Sequence, residues 1–131
     1  EMLRSLVGSE MCIRDRIKEE AVQLLKYIDE MELNEIVSAI KEINKYKLEV
    51  TDYLDLLTVW YRDVLLYKAT KEAGKVVFGD QLTYIKEKAS KSSYEGIEII
   101  LDSIEKAKTR LKANVNFDLV MELLLLTIKE N

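Results

Sequence analysis

Residues Tyr53 to Thr70 read YLDLLTVWYRDVLLYKAT, and the spacing of their apolar side chains decides the fold. Leu54, Leu57, Tyr61, Val64 and Leu65 recur at helical intervals and make one apolar face. Tyr53, Leu56, Trp60 and Tyr67 make a second, offset around the same helix, with Arg62 and Asp63 between and beside the two. Two apolar faces call for two packing partners. Two readings follow: a central core helix with aromatic filler, or a helix whose second face lies in an interface, where Trp, Tyr and Arg are the usual anchors.

The same periodicity extends in both directions. This helix is expected to start near Val50, with Thr51 or Asp52 as N-cap, and to run to about Glu72, with Gly74 supplying a left-handed residue near its end. Upstream, Ile17, Ala21, Leu24, Leu25 and Ile28 form a stripe that stops near Asp29–Met31. Leu33, Ile36, Val37, Ile40 and Ile43 form the next, with Lys41 and Glu42 outside it. Downstream, Lys75–Gly79 reads as a loop, because a short Val76–Phe78 strand would have no partner. Asp80 is then placed to cap a helix carrying Leu82, Ile85 and Ala89. Ser92 and Glu95 have capping-box spacing before the stripe Ile97, Ile100, Leu101, Ile104, Ala107 and Leu111. Asn114 suits a left-handed helix end and Asn116 a following N-cap, with Val115 and Val120 at the two positions of a hydrophobic staple. The last helix, from Phe117 to about Lys129, is apolar on most sides and so is expected to be buried on most sides. The expected fold is all-α, a compact bundle of about five to six helices.

Composition agrees. The 131 residues include no proline and four glycines, few chain breakers for that length. Hydrophobic residues make up 48% and charged residues 34%, a globular balance with a core of useful size. The net charge of −4 argues against a broad phosphate-binding surface. Lys41, Lys45, Tyr46 and Lys47 form a small basic patch, which a helix C-terminus favours through its dipole. The Leu-rich stretch is too short to span a bilayer, which takes about 20 apolar residues.

The first sixteen residues, EMLRSLVGSEMCIRDR, stand apart. The run Ser5–Arg16 resembles a peptide that arises when sequencing-adaptor DNA is translated at the broken edge of an assembled gene. Read otherwise, it is an N-terminal helix with Leu3, Leu6, Val7 and Met11 on one side. The adaptor reading makes residues 1–16 foreign, leaves 17–131 as the domain, and implies that the gene continued upstream. It also removes the single cysteine, Cys12, from consideration.

Catalytic chemistry has little to stand on. With no histidine, a Ser-His-Asp triad and a His-ligated metal site are excluded from this chain. The glycines at 8, 74, 79 and 96 are too scattered for a phosphate-binding loop. Carboxylate pairs such as Asp52/Asp55, Glu95/Glu98 and Asp102/Glu105 read as solvated helix faces. No catalytic residue, cofactor or metal is expected.

The stretch from Tyr53 to Thr70, followed by LKANVNFDLVMELLLLTI from Leu111 to Ile128, resembles the C-terminal domain of the delta-prime subunit of bacterial DNA polymerase III. Trp60-Tyr61-Arg62-Asp63 and Asn114-Val115-Asn116 are its most specific parts, and the related gamma/tau domain is similar in fold. The resemblance implies a collar domain of the clamp loader, a cytoplasmic bacterial assembly in which delta, gamma/tau and delta-prime collars pack into a ring that supports loading of the sliding clamp. The ATPase module of the family would lie upstream, so the implied role is subunit assembly, without enzymatic activity, direct nucleic-acid contact or membrane attachment. Tyr53, Leu56, Trp60, Tyr61, Arg62, Asp63, Tyr67, Leu123 and Leu124 are the candidate interface or core residues. Ser92, Glu95, Asn114 and Asn116 are the candidate caps. A different class of function, a free-standing regulatory bundle binding a peptide or small apolar ligand, would need an open groove between helices.

Overall fold

The computed structural model describes residues 12–131, so Leu3, Leu6, Val7, Gly8 and Met11 lie outside the described residues. Six α-helices follow one another: α1 Ile13–Tyr27, α2 Leu33–Ile43, α3 Val50–Thr70, α4 Leu82–Lys91, α5 Tyr94–Lys112 and α6 Phe117–Glu130. Short 3-10 turns join the first four helices, and the described residues contain no strand. The fold is an all-α bundle.

Helix α3 packs against α1, α4 and α5, while α6 packs against α5, α2 and the Ile28–Glu30 turn. The first stripe is buried throughout, from Ile17 to Ile28. In α2 only Ile36, Ile40 and Ile43 are buried; Leu33 and Val37 face solvent. The expected stripe is too wide there, since α6 and the adjoining turns cover only part of that helix. Ile97, Ile100, Ile104 and Ala107 of α5 enter the core as expected.

Several helix ends differ from expectation. Thr51 and Asp52 do not cap α3, because the 3-10 turn Asn44–Glu49 runs straight into it and Val50 N–H already donates to the Lys47 carbonyl. At the other end the left-handed residue is Lys71, with φ 61°, and not Gly74. Thr70 explains the earlier stop: its hydroxyl donates to the Leu66 carbonyl and accepts from Glu72 N–H. Asp80 lies within the turn Gly79–Gln81, and α4 starts at Leu82 without a side-chain cap.

The Ser92/Glu95 box is also displaced by one residue. Ser93 is the N-cap of α5, its Oγ accepting from Gly96 N–H at 2.9 Å. Ser92 instead donates its hydroxyl to the Asn131 carbonyl at 2.7 Å, and Glu95 falls one position short of a reciprocal bond. The end of α6 thereby rests on the start of α5. A Cβ on Gly96 would lie 3.2 Å from that same Asn131 carbonyl, so this close approach favours glycine. The other end of the α5–α6 pair follows the sequence: Asn114 is left-handed at φ 62°, and Asn116 Oδ1 accepts from Leu119 N–H at 3.0 Å. Val115 remains largely exposed, so only Val120 of the staple pair is buried.

Candidate interface surfaces

The two faces of α3 are both used inside the domain. Trp60 is 1% exposed, and its ring lies 5.4 Å from that of Phe78. Tyr53, Leu54, Leu57, Tyr61 and Val64 are buried with it, while Leu56 and Tyr67 are half-buried and Arg62 is exposed. Phe78 comes from the connection between α3 and α4, which supplies the second packing partner that the double stripe demands. Burial raises the hydroxyl pKa of Tyr61 well above the ordinary tyrosine value, with the Asp29 charge adding to it. Tyr53 is raised by burial first and by the Glu20 charge second.

Asp63 explains how that connection is held. Its buried carboxylate accepts from Val77 N–H at 2.9 Å and from Phe78 N–H at 2.8 Å. One buried and one part-buried backbone donor are satisfied by one side chain. Phe78 is thereby placed against Trp60, and exposed Val77 points away between two buried neighbours.

A charged cluster that the sequence pattern does not reveal ties the bundle elsewhere. Lys88 of α4 is buried and reaches both oxygens of Asp29, at 3.0 and 3.1 Å. Lys91 approaches the same carboxylate at 3.2 Å, and Lys129 of α6 donates to the Asp29 carbonyl at 3.0 Å. The turn after α1 is thus fastened to α4 and α6 at once. Asp29 sits at a helix end in the sequence, and its partners are 59 to 100 residues away, so periodicity gives no signal for it. Tyr46 is likewise turned inward, donating to Glu20 Oε2 at 2.7 Å, which leaves the basic patch around it without an aromatic surface.

Helix α6 departs most from expectation. Val120, Met121, Leu124, Leu125 and Ile128 are buried, but Leu119 is 60% and Leu123 48% exposed. Leu123 stands beside the seam between α5 and α6, where a groove of about 270 Å³ is floored by Ala107, Val120 and Leu124. Its α5 wall carries Ile99, Ser103, Lys106 and Arg110, in that order along the helix. Ile99 is 43% exposed. A second groove, about 420 Å³, lies between α1 and α2 over Leu24, Ile43 and Tyr53, with Glu19, Glu20 and Glu42 around it.

Of the nine candidate interface or core residues, the structure brings Tyr53, Trp60, Tyr61 and Asp63 into the core, and Leu124 into the floor of the α5–α6 groove. Leu123 stands on that groove's rim. Leu119 and Ile99, its outward companions, are apolar positions in the sequence whose exposure could not be separated from burial by spacing alone.

An all-α domain with a buried aromatic core and an open seam of mixed apolar and basic lining is a helical module suited to contact with other proteins. The chain belongs to the family described as DNA polymerase III, delta subunit, C terminal, whose model matches residues 17–130. Neither the curated proteins nor the solved structures give a significant match to it. Among the described residues, no helix is long and apolar enough to cross a membrane.

Proposed function

We propose that this domain is the collar of a DNA polymerase III clamp-loader subunit of the delta-prime type. It packs with delta and gamma/tau collars in a hetero-oligomeric ring, supports loading of the sliding clamp, and works in the bacterial cytoplasm without catalysis of its own. The observation that carries this reading is the family match over residues 17–130, in a domain that leaves Leu119, Leu123 and Ile99 exposed on α5 and α6. The delta-prime assignment rests on the likeness at Trp60–Asp63 and Asn114–Asn116. Residues 1–16 remain, in this proposal, foreign to the domain.

The test is size-exclusion chromatography with light scattering on the chain mixed with delta and gamma/tau subunits of a related bacterium. Co-elution at a defined stoichiometry, in the place otherwise taken by delta-prime, is the expected result. A folded chain that elutes alone with either subunit present contradicts the collar reading. The α1–α2 groove favours a second reading, a regulatory bundle that binds a peptide or small apolar ligand. A ligand-dependent rise in melting temperature, without subunit co-elution, would support that alternative.

A further inference from the structure

The open seam of α5 and α6 has a definite pattern. Leu123 and Thr127 lie one turn apart on one wall, and Ile99 lies toward the far end of the other. Ala107 in the floor is small enough to leave a furrow between two antiparallel helices, a shape that accepts the apolar face of a third helix. The charges lining the groove are Lys106 and Arg110, and no carboxylate lines it. Lys106 pairs with Asp102 at 3.1 Å, whereas Arg110 has no ion-pair partner among the described residues. These two cations stand one turn apart, about 6 Å along the axis, near the end of α5 where Leu119 also lies.

We propose that this seam is the docking groove for one amphipathic helix of a neighbouring clamp-loader subunit, which lays an aliphatic stripe along Leu123 and Ile99 and offers carboxylates to Lys106 and Arg110. The inference rests on the collar reading and adds the face and the chemistry of the partner. Charge decides the occupant. A second copy of this chain, meeting the seam through the same face, would bring cations and no lining carboxylate to Lys106 and Arg110. The α1–α2 groove, with its three glutamates, has the opposite sign and would repel the same helix.

Because Leu123 and Arg110 are exposed, substitutions there test binding without emptying the core. The complete chain is titrated against purified gamma/tau and delta subunits, with circular-dichroism melting of each variant as the folding control. Leu123→Glu is expected to weaken association at least about tenfold at an unchanged melting temperature, as for a buried interface anchor. Arg110→Glu is expected to weaken it about three- to tenfold at low salt, with the difference shrinking as salt rises. Gln23→Ala, in the α1–α2 groove, should bind as the parent chain does. If the parent chain binds and both seam variants bind equally well, the docking face is wrong while the collar reading stands. If the parent chain binds neither subunit, both fail. Association of the chain with itself, abolished by Leu123→Glu, would replace the proposed occupant with a second copy.

Discussion

Helices α3 and α6 both carry long apolar stretches and use them in opposite ways. Helix α3 spends its apolar side chains inward: Trp60, Tyr61, Tyr53 and Leu57 are all essentially without solvent contact. Helix α6 buries one face and leaves Leu119 and Leu123 outside. The difference lies in their neighbours. Helix α3 is surrounded by α1, α4, α5 and the loop that Asp63 holds down, whereas α6 has α5, α2 and the short Ile28–Glu30 turn, which leave one side of it open. An aromatic-rich helix is thus the central core helix of the architecture, and the plainer leucine-rich helix is the one with surface to offer a partner.

The largest effect should come from the core side. Trp60→Ala is expected to cost about 3–5 kcal/mol of folding stability, measured by urea unfolding, because the cavity also strips Phe78 of its packing. A loss below about 1 kcal/mol would mean that α3 is not the closed core helix described. Asp63→Ala should cost about 1–3 kcal/mol, since the buried Phe78 N–H and the part-buried Val77 N–H lose a charged acceptor. Hydrogen exchange at Val77 and Phe78 should accelerate in that variant; unchanged exchange would show that the carboxylate does not hold the loop.

Alkaline titration sharpens the comparison from another side. Tyr53 and Tyr61 have raised pKa values in the folded state, so they stay neutral while the unfolded chain ionises. Their contribution is complete below the ordinary tyrosine pKa and is lost as pH rises above it. Stability should therefore fall as pH rises past about 10, and Tyr61→Phe should flatten that slope. An equal slope in the variant would place the tyrosine hydroxyl in water.

Smaller effects belong to the α5–α6 side. Asn116→Ala should cost about 1 kcal/mol through loss of the bond to Leu119 N–H. Leu123→Ser should change folding stability by less than about 0.5 kcal/mol, yet reduce subunit association. A large stability loss there would mean that α6 is closed like α3 and that the comparison is false.

Much of this was legible before any coordinates. Helix spacing places the stripes of α1, α3 and α5, and Asn114 and Asn116 announce the turn between α5 and α6. What escapes is decided by distant parts of the chain. The loop residue Phe78 completes the packing of Trp60, Asp63 reaches fourteen and fifteen residues along the chain, and Asp29 joins partners on α4 and α6. Helix ends fail for a local reason: 3-10 turns run into α3 and α4, so Thr51, Asp52 and Asp80 are not needed as caps. The exposed side of α6 fails for a third reason. A leucine that faces a partner and a leucine that faces the core have the same spacing, and only the fold separates them.

The most direct test of the division between a folding helix and a docking seam is hydrogen–deuterium exchange of the chain with and without gamma/tau and delta subunits. The account predicts added protection on binding in residues 99–110 and 117–127, with 53–67 slow in both states and unchanged. Added protection centred on 53–67, with the α5–α6 seam unaffected, would contradict it.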